Sequence, residues 1–192
     1  MRCTFKYIYM ALSLSLVLTG CYKPQPAITY QSLDSVLTSG RLEYYGAFYK
    51  VEGVSYDVVS LDLYSKGLGL NKDGKMEGVG TNLYISDIFV PTAAIKARKA
   101  SDFLPEGTYA SDSTAQLMHF LRGVNYDGSY AGSYVLLMGE TSYSVLPITE
   151  AMMSVAYVGD TLVLDGKATL EGKKHPYPFH YRTTLPTINR ER

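Results

Sequence analysis

The stretch Thr161-Leu162-Val163-Leu164-Asp165-Gly166-Lys167-Ala168-Thr169-Leu170-Glu171 decides the fold class. Leu162, Leu164, Gly166, Ala168 and Leu170 fall on one side of an extended chain. Thr161, Asp165, Lys167, Thr169 and Glu171 fall mostly on the other. That is period two, the mark of a strand with one face in a core and the other in water. Asp165-Gly166 alone would signal a hairpin turn. The alternation keeps its phase through the pair, so the segment reads as one continuous strand, with the reversal at Gly172-Lys173-Lys174. The return strand is Tyr177 to Leu185, with Tyr177, Phe179 and Tyr181 facing alike. Pro176 and Pro178 lack ladder donors and place its start at an edge.

The same period recurs toward the N-terminus. Leu42, Tyr44 and Phe48 alternate with Glu43 and Lys50, and Val59, Leu61 and Leu63 share one side of a strand from Tyr56 to Tyr64. Lys66 to Gly80, glycine-rich around Asn71-Lys72-Asp73-Gly74-Lys75, reads as a loop or wide hairpin turn. Val79 to Val90 returns as a strand stopped by Pro91. Further strands are expected at Gln116 to Val124, Tyr130 to Met138, Tyr143 to Thr149 and Met152 to Val158. Asp127-Gly128 marks a hairpin between the first two of these. Helix signals are few: Ser32 to Thr38, capped at Ser32 and closed by Gly40, and the alanine-rich Pro91 to Asp102, a short surface helix or a crossover. The expectation is an all-β chain, a single antiparallel β-sandwich or barrel of about nine strands with at most one or two short helices.

The first residues follow a different logic. Arg2 and Lys6 precede an apolar run from Tyr7 to Val17, which ends in Leu18-Thr19-Gly20-Cys21. Basic, apolar and small residues in that order make a secretory signal, too short for a spanning helix with ordinary flanks. The ending resembles the lipobox of bacterial lipoproteins. The resemblance implies cleavage before Cys21, diacylation of its sulfur and a membrane anchor there, with Leu18, Thr19 and Gly20 as the lipobox. The expected organisation is residues 1–20 as removed signal, 21–40 as lipidated cysteine, tether and short helix, 41–186 as the β-domain, and 187–192 as a polar tail.

Removing 20 of the 192 residues leaves 172, enough for one core. The signal takes two of the 18 basic residues and no acid, so 16 basic residues then face 18 acidic ones, a charge of −2. So small a charge gives no reason to expect nucleic acid as a partner. Cys3 leaves with the signal and Cys21 takes lipid, so no thiol remains for a disulfide, a metal site or a nucleophile. The 18 tyrosines, beside no tryptophan, suit half-buried pleated surfaces and are spread along the chain.

Leu104, Pro105, Gly107 and Tyr109, then Gly132, Ser133 and Tyr134, then Pro147, Ile148 and Thr149, then Gly159, Asp160 and Gly172 form a sequence of turn and strand marks. In that order they resemble small β-rich lipoproteins of Bacteroidetes. The resemblance covers about half of the chain, implies the all-β fold and carries no catalytic residues with it. Lipoproteins of that group displayed on the cell surface often have acidic residues after the cysteine. Tyr22-Lys23-Pro24-Gln25-Pro26 departs from this, so the periplasmic and surface sides of the outer membrane both stay open.

Catalytic patterns are absent. His119, His175 and His180 are the only histidines, and the last two project to opposite faces of a strand. Ser129 and Ser133 lack the glycine pair of a nucleophile elbow. Aligning Gly74 to the glycine of a calcium loop puts Gly69 and Gly80 where carboxylates belong. Asp57, Asp62, Glu77 and Asp87 could hold calcium only if strands bring them together. No cofactor is called for. The expected function is a lipid-anchored, non-catalytic module of the cell envelope that binds an envelope protein or a glycan. Its recognition residues are expected on the loop with Tyr126, Asp127 and Tyr130, since loops on a rigid scaffold carry recognition. The alternatives are an envelope hydrolase with paired carboxylates, and a barrel holding a small apolar ligand among Leu136, Met138, Met152 and Met153.

Overall fold

The computed structural model describes residues 33–49, 56–92 and 99–191. The signal segment, the lipobox Leu18-Thr19-Gly20, Cys21 and half of the alanine-rich crossover (93–98) lie outside the described residues. Among the described residues fourteen strands follow one another: β1 Val36–Gly46, β2 Tyr56–Ser65, β3 Leu68–Leu70, β4 Met76–Gly78, β5 Gly80–Pro91, β6 Gly107–Asp112, β7 His119–Leu121, β8 Val124–Tyr126, β9 Ser129–Ala131, β10 Tyr134–Met138, β11 Tyr143–Val158, β12 Thr161–Leu170, β13 Tyr177–Thr183 and β14 Thr187–Asn189. One four-residue helix, α1 Ala100–Phe103, precedes β6. The all-β expectation holds.

Ten strands make one sheet in the order β10–β11–β12–β13–β1–β2–β5–β7–β6, with β14 beside β1. Extra ladders β10–β5 and β11–β6 bring the two ends round onto each other. The sheet curls about its core without being a regular closed barrel. Its β1–β13 ladder consists only of Val36↔His180 and Leu37↔Tyr181, and further along β1 the neighbour is β14. The sheet is mixed rather than purely antiparallel, since β1–β13, β1–β14 and β6–β7 are parallel.

The inner face is the apolar set that period two picked out. Leu42, Val59, Leu61, Leu63, Leu83, Ile85, Leu162, Leu164, Phe179 and Tyr181 pack there in one cluster. Each fully buried aliphatic side chain contributes roughly 2 kcal/mol of transfer free energy. β12 runs unbroken through Asp165-Gly166, and the chain reverses after Leu170 with Gly172 at φ 71°. Gly166 faces inward, and a Cβ there would lie 2.2 Å from Phe179 Cζ. This glycine makes room for a ring; it does not make a turn.

Several local expectations are corrected. Residues 36–40, expected to end a helix, are strand, because Leu37 is buried in the core and pairs with both Ser65 and Tyr181. The supposed polar tail from 187 supplies β14, whose register is Leu42↔Thr187 and Tyr44↔Asn189. Two strands expected at 143–149 and 152–158 are one, β11, with a register shift between Ile148 and Glu150. Pro147 fits within it, opposite Tyr134. Lys66 to Gly80 is a small hairpin, β3–β4, closed by Asn71 Oδ1 accepting from the backbone of Asp73 and Lys75. Asp127-Gly128, both at positive φ, turns the separate hairpin β8–β9.

The quoted turn marks have local causes. The Tyr109 hydroxyl donates back to Pro105 O at 2.8 Å, which fastens Leu104 to Tyr109 as a closed corner. Ser133 is buried, donates to Leu121 O and accepts from Ser86 N, and so ties β10 to β5 and β7. Inside β5, Ser86 and Asp87 stand opposite the single β2 residue Ser60, between the pairs Val59↔Ile88 and Leu61↔Ile85. This bulge holds Asp87 at φ 48°, a region that Asp tolerates better than most residues.

Candidate functional site

The outer face of β1, β2, β5, β10 and β11 is the candidate site. Cross-strand register places Arg41, Asp62, Tyr84, Tyr134 and Pro147 in one row. The next row holds Ser39, Tyr64, Asn82, Leu136 and Val145. These positions alternate with inward residues, so a solvated surface is the ordinary expectation. Instead every residue of β2 from Asp57 to Ser65 is buried, outward ones included.

Ion pairs and hydrogen bonds make that burial tolerable. Arg41 Nη2 lies 3.1 Å from Asp62 Oδ2, and Arg41 Nε lies 3.4 Å from Glu43 Oε1. Arg190, placed by β14, donates to Glu43 Oε1 at 3.0 Å. The Tyr45 hydroxyl donates to Glu43 Oε2 at 2.6 Å, and the Tyr64 hydroxyl donates to Asp62. Asn82 Nδ2 donates to Asp62 Oδ1 at 2.7 Å and to Leu63 O at 3.0 Å. Buried charge is costly unless paired and hydrogen-bonded in this way.

The two ends of the face differ chemically. At the β1 end, a depression of about 880 Å³ is lined, among the described residues, by Arg41, Glu43, Tyr45, Phe48, Arg190 and Glu191. Burial alone would raise the Glu43 pKa, but hydrogen bonds from Tyr45 and Arg190 and the charges of Arg41 and Arg190 hold it below the ordinary 4.5. Burial pushes Asp87 above its ordinary 3.8 despite hydrogen bonds from Tyr49 and Ser86. At the other end, a groove of about 440 Å³ is floored by Tyr134, Leu136, Met138 and Val145, with Met76, Tyr130 and Tyr143 along its sides. Met76 comes from the β3–β4 hairpin and Tyr130 from β8–β9. Burial pushes the Tyr134 hydroxyl up to about 12.

Of the three loop residues singled out in the sequence, the structure brings only Tyr130 to this groove. Tyr130 pairs with Asn125 and Tyr126 with Ser129, so Tyr126 projects from the opposite side of the hairpin. Asp127 occupies the turn at φ 49°. The carboxylates Asp57, Asp62, Glu77 and Asp87 are not gathered. Asp57 accepts from Tyr44 on the inner side, Asp62 faces outward, and Asp87 accepts from Tyr49. No group of three or more metal-ligating side chains occurs among the described residues. His180 Nδ1 meets Asp165 Oδ1 on the exposed face of β12, while His119 Nδ1 lies 2.9 Å from Leu117 O. Leu136 and Met138 line the outer groove, Met153 is in the core and Met152 is exposed, so these four do not enclose one cavity.

Arg41, Glu43, Tyr45, Tyr84 and Arg190 were not singled out by sequence reasoning. Arg190 is 147 positions from Glu43, and only the parallel β1–β14 ladder brings them together. The available signal was a charged or tyrosine residue at successive outward positions of neighbouring strands. Using that signal requires the register. No protein-family profile, no curated protein and no solved structure matches this chain.

Proposed function

We propose that this protein is a lipid-anchored, non-catalytic binding module of the cell envelope, attached to the outer membrane through Cys21. It presents the outer face of β1, β2, β5, β10 and β11 to an envelope partner. The observation that carries the binding reading is the groove of Tyr134, Leu136, Met138 and Val145 between two hairpins. Open apolar surface on the side of a sheet facing away from the core is characteristic of recognition sites. The anchor reading rests on the lipobox resemblance of Leu18-Thr19-Gly20-Cys21 and on two acyl chains giving a stable hold.

A hydrolase with paired carboxylates would place two acids with raised pKa values in one pocket. Here Glu43 is held down and Asp87 is pushed up, and Asp87 is not among the described residues lining the Glu43 depression. The binding reading is therefore preferred. Its test is retention of envelope protein or polysaccharide on the immobilised chain, compared with Tyr130→Ala/Tyr143→Ala. Equal retention by a correctly folded double variant rules out the groove as the binding surface. Palmitate incorporation in wild type, lost in Cys21→Ala, checks the anchor.

A further inference from the structure

The outer face carries an aromatic line as well as a groove. Tyr45 on β1, Tyr84 on β5, Tyr134 on β10 and Tyr143 on β11 run diagonally across it. The Tyr84 and Tyr134 rings lie 5.1 Å apart with 32° between their planes, and Phe48 extends the line at 6.2 Å from Tyr45. From β1 to β11 there are four strand steps, roughly 19 Å at ordinary spacing. A surface that long suits several linked units better than one small molecule.

Charge narrows the chemistry. Both guanidiniums on this face already meet carboxylates, Arg41 with Glu43 and Asp62 and Arg190 with Glu43. An anionic ligand would have to compete with those acids, and a cationic one with those arginines. Donors and acceptors set side by side next to aromatic rings instead complement a neutral ligand rich in hydroxyls. A sugar ring offers that combination, with C–H groups for the aromatic face and hydroxyls at its edge.

We propose that this face binds a linear neutral glycan. The rings from Tyr45 to Tyr143 stack on successive sugars, and Arg41, Glu43 and Arg190 hydrogen-bond hydroxyls at the β1 end. The proposal rests on the binding-module reading and narrows its partner to polysaccharide.

Native affinity electrophoresis of the full chain tests it, with gels containing a β-1,3-glucan, an α-glucan, a mannan, a xyloglucan or polygalacturonate. At least one neutral polymer should retard the protein equally in low and high salt, since no net charge is neutralised. Tyr143→Ala should weaken retardation about tenfold with unchanged melting temperature, and Arg190→Gln should weaken it similarly in protein kept below a lowered melting temperature, since it also takes a partner from Glu43. Met152→Ala, on the half of β11 that pairs with β6 and β12 and away from the line of rings, should change nothing. Retardation by no neutral polymer, or only by polygalacturonate in low salt, overturns the glycan assignment. If the chain then still retains an envelope protein through Tyr143, the binding-module reading stands. If it retains neither, both fall.

Discussion

β2 and β12 belong to the same sheet and share an inner face of leucines, yet their outer faces live in different environments. On β12, Asp165 is exposed, Lys167 is exposed and Val163 half-buried. On β2, Val58, Ser60, Asp62 and Tyr64 are all buried. On β12 the outward polar residues stand in water and need no partner within the protein. On β2 the outward Asp62 and Tyr64 are buried and find their partners within the protein, in the Arg41–Asp62–Asn82–Tyr64 network, which leaves Asn82 Oδ1 without a hydrogen bond.

The largest effects should ignore the difference between the two strands. Leu61→Ala and Leu164→Ala both remove fully buried inner side chains, and each should cost about 3 kcal/mol in urea unfolding. A much smaller loss at Leu164 would show that the core is unequal along the sheet. The sharpest contrast comes next. Asp62→Ala leaves Arg41, Asn82 and Tyr64 without their shared acceptor and should cost roughly 3 kcal/mol. Asp165→Ala removes only an exposed partner of His180 and should stay within about 0.5 kcal/mol. Equal losses would break the distinction between the two outer faces.

Gly166→Ala probes the inner side of β12 and should cost about 2 kcal/mol, because Phe179 must leave its place. If the change is neutral, the close approach is not a constraint. The smallest effects are in pH dependence. Glu43 has a lowered pKa, so its contribution is present above about 4.5 and disappears as pH falls through the lowered value. Asp87 has the opposite sign: its ionised form opposes folding above its raised value, and the penalty is relieved as pH falls. Glu43→Gln should therefore lower stability at neutral pH and flatten the acid limb. Asp87→Asn should leave neutral stability unchanged or raised. Melting temperatures across the acid range check both signs.

β12 was legible because its alternation is complete, and the correct reading of Asp165-Gly166 followed from phase alone. β11 was split in two at Glu150-Ala151, beside the point where its ladder with β12 shifts register between Ile148 and Glu150; the chain is one strand there, with Pro147 held within it opposite Tyr134. Residues 36–40 read as a helix end because Ser32 and Gly40 mimic cap and stop signals, and only burial of Leu37 against β13 and β2 reveals the strand. Tyr130 could be found from its loop. The remainder of the site could not, since Arg41, Asp62, Tyr84 and Tyr134 become neighbours only through three separate strand pairings.

Position along the chain also sets the order in which the molecule can be completed. β1 is the first of the described strands, and its second edge is occupied by β13 and β14, which follow it by well over a hundred residues. Until the ribosome has released residues 177–189, that edge has no partner and Glu43 lacks Arg190. Contacts this remote in sequence slow folding. A chain built in this way completes its first described strand only when residues 177–189 are in place, so their removal is felt at β1, at the far end of the sequence.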